Sequence, residues 1–269
     1  MKNDLREKYE KLVENLKQFD SALIAYSGGV DSTFLLKAAH DALGNKIEAV
    51  TVRTEYIATK EIDEALEFIR ETGIKHNLSS VPVPEEIKNN PENRCYLCKK
   101  SIFGVMQELA KSKNIKYVMD GSNTDDLDDY RPGLKALKEM GIKSPLLENG
   151  WTKKEIREMS KELQLVTWDK PAYACLLTRL PIYTDIKNYK LRNIEAAETY
   201  LHSEGFEAVR VRVHDDLVRI EMGTELWTKF LKPAIMEKVS KKFKDFGFKY
   251  ITFDLEGYKM GSFNENPNK

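Results

Sequence analysis

The stretch Ser27-Gly28-Gly29-Val30-Asp31-Ser32 constrains this chain more than any other part of it. Ahead of it, Ala22 to Tyr26 is a short apolar run of strand type. Behind it, Phe34-Leu35-Leu36-Lys37-Ala38-Ala39 reads as a helix. A strand that feeds a glycine turn and then a helix aims several free backbone N–H groups at one point. The helix N-terminus adds roughly half an elementary positive charge there. Gly28 and Gly29 let the backbone wrap an anion with no Cβ in the way, and Ser27 and Ser32 add hydroxyl donors. Asp31 can cap the helix or hold a metal ion carried in by phosphates. The expected ligand is a phosphate group; the plainer alternative is a βα turn with a good N-cap.

The loop is not of Walker A type, because no Lys-[Ser/Thr] pair follows its second glycine. Its six positions match the SGGxDS loop of enzymes that split ATP into AMP and pyrophosphate. Further along, Ile47 to Val52, ending at Arg53, reads as a second strand and Thr59 to Thr72 as a helix stopped by Gly73. Residues 74–83 form a weaker strand, 101–111 a helix, and Ile115 to Met119 a fourth strand. An amphipathic helix over 4–18 leads in, through Leu5, Tyr9, Leu12, Val13 and Leu16. Strands alternating with helices argue for an α/β fold whose parallel sheet is covered on both faces. Ligands of such sheets bind beyond the carboxyl ends of the strands. The acidic loop Asp120-Gly121-Ser122-Asn123-Thr124-Asp125-Asp126, continued by Asp128-Asp129-Tyr130-Arg131, should therefore face the phosphate loop. There it can hold Mg²⁺, or it is a solvated, turn-rich segment. Residues 144–147 read as another short strand, and 152–163 as a helix opened by a Thr152–Glu155 capping box.

Pro171 and Pro181 bracket a segment without regular periodicity that carries Cys175 and Arg179. The pattern then changes to helix (186–202), a hairpin around Asp215-Asp216, helix (Glu225 to Phe243) and strand (Phe248 to Leu255). This order suits a small α+β domain. Residues 1–183 are thus expected to form an ATP-binding domain, and 184–269 a smaller α+β domain for substrate binding and oligomerisation, in a homo-oligomer. Arg210 and Arg212 lie two apart on one strand, where they either grip a phosphate or face solvent.

Lys plus Arg and Asp plus Glu both number 43, so the net charge is zero. That argues against a protein whose work is gripping a polyanion, and no nucleic-acid partner is expected. No apolar run reaches membrane-spanning length, and the charged start at Met1-Lys2-Asn3-Asp4 is unlike a signal peptide. The 3 cysteines are an odd number, which fits functional thiols in the cytoplasm better than a disulfide framework. Cys95-Tyr96-Leu97-Cys98 puts two sulfurs on one side of a turn, as a redox pair, half a zinc site or part of an iron–sulfur site. A zinc site is hard to complete, since His40, His76, His202 and His214 are scattered. With Cys175 the pair would give three ligands, enough for a [4Fe–4S] cluster with one iron open. Otherwise these are unrelated, partly buried thiols.

The phosphate loop and acidic loop appear in order with Arg131-Pro132-Gly133, Lys170-Pro171-Ala172-Tyr173-Ala174-Cys175-Leu176, Arg179-Leu180-Pro181 and Gly257-Tyr258-Lys259-Met260-Gly261-Ser262. Over nearly the whole chain this set resembles the LarE family of ATP-dependent sulfur transferases, PP-loop enzymes that build a nickel-pincer cofactor. The resemblance implies ATP and Mg²⁺ as cofactors, with Ser27, Gly28, Gly29, Asp31, Ser32, Arg53, Gly121 and Asp125 around the nucleotide. It implies adenylation of a carboxylate of a pyridinium dicarboxylate mononucleotide, followed by displacement of AMP by sulfur from a sulfide donor. Arg179 would serve the substrate carboxylate or phosphate, and Arg210 and Arg212 match positions proposed to grip the substrate phosphate. Single-cysteine members surrender the sulfur of the residue matching Cys175; three-cysteine members are thought to carry sulfide on a [4Fe–4S] cluster, here on Cys95, Cys98 and Cys175. Leu177-Thr178 and Ile182-Tyr183-Thr184 depart from the family pattern beside this cysteine. A tRNA thiolation enzyme would share the loop and even the cysteines but should bind RNA. An NAD-synthetase-like amide synthetase would leave the thiols unexplained.

Overall fold

A computed structural model of the chain describes residues 2–127, 132–171, 174–207 and 209–258. Asp128 to Arg131, Ala172-Tyr173 and Lys259 to Ser262, all part of the sequence motifs, lie outside the described residues. The chain divides into two compact units: Met1–Ile87 with Asn93–Tyr173, and Lys88–Glu92 with Ala174–Lys269.

The first unit runs α1 (Lys2–Leu16), β1 (Ala22–Ala25), α2 (Val30–Leu43), β2 (Ile47–Arg53), α3 (Thr59–Thr72), β3 (His76–Ser80), α4 (Arg94–Ser112), β4 (Tyr117–Met119), α5 (Pro132–Glu139), α6 (Pro145–Glu148) and α7 (Lys153–Glu162). Its strands pair in parallel in the order β3-β2-β1-β4, with Ala22 opposite both Ile47 and Tyr117. Apolar side chains alternate to two separate cores, as a sheet covered on both faces requires. Ile24 and Ala49 pack with Leu12, Phe34, Leu35, Trp151 and Ile156 from α1, α2 and the α7 region. Leu23, Val50 and Val52 pack on the opposite face with Phe103, Met106 and Leu137 of α4 and α5. The chain moves outward from β1 to β3 and then returns to the other side of β1 for β4. The strand order therefore reverses between β1 and β4, which opens a crevice at their carboxyl ends.

Two local expectations are corrected here. Residues 144–147 are not a strand: Pro145 stands at the first position of α6, and strand pairing stops at one bridge between Met119 and Lys143. Proline has no N–H to give a ladder, and its fixed φ favours a helix start. The helix expected from 101 already begins at Arg94, so Cys95 and Cys98 occupy its first turn.

The second unit comprises α8 (Asn188–Ser203), β5 (Val209–His214), β6 (Leu217–Met222), α9 (Trp227–Phe230), α10 (Pro233–Asp245) and β7 (Tyr250–Phe253). β5 and β6 form the antiparallel hairpin, its turn set by Asp215 at φ +53°, and β7 joins β6 in parallel. The single helix expected over 225–243 is broken in two. Pro233 starts α10 and forces Lys232 into extended backbone, so α9 ends at Phe230. Among the described residues, no helix is long and apolar enough to cross a membrane.

Candidate active site

The crevice between β1 and β4 is lined by the loops that leave those strands. Gly28 takes a φ of +71°, and a Cβ built on it would lie 2.7 Å from Ala65 Cβ of α3, so the loop folds tightly against that helix. Gly29 is the N-cap of α2 and has no side-chain cap bond. The expectation that Asp31 can cap the helix is corrected: it sits inside the first turn, with its carboxylate turned toward Lys153. The amide groups of that turn are therefore left for an anion, as the sequence predicts. Ser32 Oγ donates to Gly29 O at 3.1 Å, which leaves Ser27 Oγ as donor in the 3.1 Å contact between the two hydroxyls. Gly121, from the loop after β4, closes the other wall. A Cβ there would lie 3.0 Å from Ser32 N and 3.1 Å from Asp31 C, so only glycine lets the loops approach so closely.

Asp120, at the base of this wall, is buried and accepts from Ser122 Oγ at 2.5 Å and Ser144 Oγ at 2.6 Å. Asn123 Oδ1 accepts from Asp125 N, and Asp126 Oδ2 accepts from Asn123 N, both at 3.0 Å. Asp125 Oδ2 in turn accepts from the backbone N of Lys153 at 3.3 Å. The capping box of Thr152 and Glu155 forms as expected and sets the start of α7, which delivers the Lys153 ammonium onto Asp31 Oδ2. Asp31 Oδ1 is buried and has no hydrogen-bond partner. Burial pushes the Asp31 pKa up and the Asp126 charge adds to that, while Lys153 opposes it. Lys170 reaches the same loop, 3.1 Å from Gly28 O and 2.7 Å from Glu64. Arg157 holds this segment by donating to the carbonyls of Trp168 and Lys170. Arg53 is exposed at the end of β2, where its carbonyl accepts from Val81 N.

Cys95 is exposed and Cys98 partly buried on the first turn of α4. Tyr56 Oη lies 3.1 Å from Cys98 Sγ. Burial raises the Cys98 pKa, against the Tyr56 hydrogen bond and the Lys99 charge, which lower it.

Within the second unit, Cys175 caps a 3₁₀ turn over Leu176–Arg179, and its carbonyl accepts from Thr178 N at 3.1 Å and Thr178 Oγ1 at 2.9 Å. Arg179 is buried and forks onto both oxygens of Glu198 at 2.9 Å. It also donates to Ala174 O at 2.8 Å and Cys175 O at 3.3 Å. Arg212 is likewise buried, forked onto Glu221 at 3.0 and 3.1 Å and bonded to Thr178 O. Arg210 is half-buried, its guanidinium 5.1 Å from the centre of the Tyr258 ring. Buried Asn90 donates to the carbonyls of Leu180 and Pro181, which ties segment 88–92 to this turn. Among the described residues, no group of three or more His, Cys, Asp and Glu side chains is gathered as a metal site.

Ser27, Gly28, Gly29, Asp31, Ser32, Gly121 and Asp125 thus come together in one corner; Lys153, not singled out in the sequence, joins them, and so does Lys170, quoted there only as part of a family motif. The readable signal was the Thr152–Glu155 capping box that brackets Lys153. Where its long side chain goes is decided by tertiary packing.

A parallel sheet of this order, with a lysine-free glycine loop at its switch point, defines a PP-loop nucleotide-binding domain. Residues 21–118 match the family described as "Queuosine biosynthesis protein QueC". The chain is 35% identical over 268 residues to the pyridinium-3,5-bisthiocarboxylic acid mononucleotide synthase of Lactiplantibacillus plantarum, covering 98% of this chain and 96% of that one. It is 43% identical over 264 residues to the uncharacterised protein slr1717 of Synechocystis, covering 95% and 97% of the two chains. Similarity to a chain of the glutamine-hydrolysing GMP synthase of Thermococcus kodakarensis is narrower: 29% over 177 residues, 61% of this chain and 57% of that one. The chain belongs to the LarE family of ATP-dependent sulfur transferases.

Proposed function

We propose that this enzyme adenylates a carboxylate of a pyridinium-3,5-dicarboxylate mononucleotide and converts it to a thiocarboxylate, in synthesis of a nickel-pincer cofactor. The observation that carries the ATP half is the corner built from Gly28, Gly121 and Asp31: two cradles a Cβ would fill, and a buried carboxylate oxygen without a partner. The relative from Lactiplantibacillus plantarum, similar over nearly the full length, supports the substrate. A substrate carboxylate oxygen attacks the α-phosphorus of ATP, and pyrophosphate leaves. A sulfur nucleophile then attacks the acyl carbon, and AMP leaves. The α2 amides and Lys153 would bind the departing pyrophosphate. Asp31, with Asp125 or Asp126 across the crevice, would hold a Mg²⁺ that offsets phosphate charge. With Asp31 engaged in that way, Lys153 would pair with phosphate instead.

For sulfur delivery we propose Cys95, Cys98 and Cys175 as ligands of a [4Fe–4S] cluster. When bound, it supplies sulfide that stays deprotonated at neutral pH. The shared turn of Cys95 and Cys98 supports this. Two measurements test the proposal. Turnover should release AMP and pyrophosphate only with the carboxylate substrate; ADP and phosphate as products would refute adenylation. After anaerobic turnover with excess sulfide, the polypeptide mass should be unchanged. A loss of about 34 Da at Cys175 would show instead that the cysteine's own sulfur is consumed.

A further inference from the structure

Tyr56 has no part in nucleotide binding as described above, yet its phenol is placed with care. It stands in the loop between β2 and α3, 1% exposed, with its oxygen 3.1 Å from Cys98 Sγ. Its neighbours Thr54 and Glu55 place this loop at the carboxyl edge of the sheet, directly after Arg53 ends β2. Burial of a phenol in a low-dielectric site strengthens any hydrogen bond it makes. The two thiols of the turn are thus unequal. Cys98 is partly buried against the Tyr56 phenol, whereas Cys95, three residues earlier, is exposed.

We propose that Tyr56 is a positioning residue for the sulfur chemistry: its O–H donates to Cys98 Sγ and makes this the fixed sulfur of the pair. The inference rests on the sulfur-carrying role proposed for Cys95 and Cys98. A donor at 3.1 Å withdraws negative charge from the sulfur it faces and favours the electron-rich state. On a cluster ligand the same bond favours the reduced cluster, because hydrogen bonds to ligand sulfurs raise the potential.

Tyr56→Phe tests this in the full chain, since it keeps the ring and removes only the hydroxyl. In iron-free protein, iodoacetamide labelling at neutral pH, read by peptide mass spectrometry, uses exposed Cys95 as the internal reference. Labelling of Cys98 should slow several-fold in the variant while Cys95 keeps its rate; an unchanged or faster Cys98 overturns the proposal. In protein reconstituted anaerobically with iron and sulfide, the variant should bind the same iron at a lower midpoint potential, followed by electron paramagnetic resonance. Equal potentials also overturn it. If even the wild-type chain takes up no iron, the cluster reading fails, and the labelling ratio alone still decides the role of Tyr56.

Discussion

The phosphate-loop corner and the Cys175 turn are both rich in charge, but they treat it in opposite ways. Around Cys175 the charges are matched inside the protein: Arg179 forks onto Glu198, and Arg212 onto Glu221. Glu198 also accepts from Val211 N at 2.9 Å, and Arg212 bonds to Thr178 O, so the pairs lock the turn to β5. At the phosphate loop, a buried oxygen of half-buried Asp31 is left without a partner, and the other holds a single ammonium. The first arrangement is a finished scaffold that presents a thiol. The second is incomplete by design and is completed by ligand. Substitutions of the charged groups should separate the two: those at the Cys175 turn should cost stability, and those at the loop should cost chemistry.

The largest expected effect is on stability. Glu198→Ala would leave the Arg179 guanidinium buried without its carboxylate, a loss of about 3–5 kcal/mol when such a pair is broken from one side. Urea denaturation should show the second unit destabilised by that order. A loss under about 1 kcal/mol, the level of an exposed pair, would break the comparison.

Next comes Asp31→Asn, which should lower turnover by about 10²–10³-fold, the usual consequence of removing one electrostatic group from a phosphoryl site. Unlike Glu198→Ala, it should not lower the melting temperature at neutral pH. Burial raises the Asp31 pKa, so the ionised carboxylate destabilises the unliganded fold. The sign follows: that cost is absent at low pH, where Asp31 is protonated in both states, and appears as pH rises through its raised folded pKa. The stability advantage of Asp31→Asn should therefore grow from acid to neutral pH, and an advantage that shrinks would contradict this reading.

A smaller effect is expected at Gly28. Gly28→Ala meets both a left-handed φ of +71° and the Ala65 Cβ at 2.7 Å, so α3 and the loop must part. Relaxation of α3 and the loop shares the strain and the overpacking, for a combined cost of about 1–3 kcal/mol. The Michaelis constant for ATP should rise together with the loss of stability, because the displaced loop is the cradle itself. Stability lost at unchanged ATP affinity would mean that the loop is not the nucleotide cradle.

The contrast also explains what could be read from the sequence. The phosphate corner was legible because its parts are local: a strand, two glycines and a helix within residues 22–43, and a capping box at Thr152 and Glu155. The Cys175 turn was not, because its order comes from partners far along the chain. Glu198 lies on α8 and Glu221 on β6, and nothing local tells a buried, paired arginine from one that awaits substrate. The family resemblance implies substrate roles for Arg179 and Arg212, while the residues alone leave a solvent-facing Arg212 open; the structure adds ion pairs to Glu198 and Glu221 and bonds to backbone carbonyls. The strand expected at 144–147 and the unbroken helix expected over 225–243 fail for one reason: apolar content does not outweigh Pro145 and Pro233.

The smallest effect concerns the support beneath the phosphate loop. His76 Nε2 lies 2.9 Å from Thr51 Oγ1, and that hydroxyl donates to Tyr26 O, the residue before Ser27, at 2.8 Å. The threonine hydrogen is thereby used, so Nε2 must carry a proton and donate. Burial holds the His76 pKa below its ordinary value, because a charge on the half-buried ring is poorly solvated. In the unfolded chain the ring accepts its second proton near the ordinary value of about 6.5. As pH falls through that point the unfolded state takes up the proton first, so stability present at higher pH is progressively lost. His76→Gln keeps a donor for Thr51 and removes the titration. Between about pH 7.5 and 5.5, a window that spans the ordinary histidine value, the melting temperature of this variant should fall less than that of the wild type. Equal falls would show that His76 carries none of the pH dependence of stability.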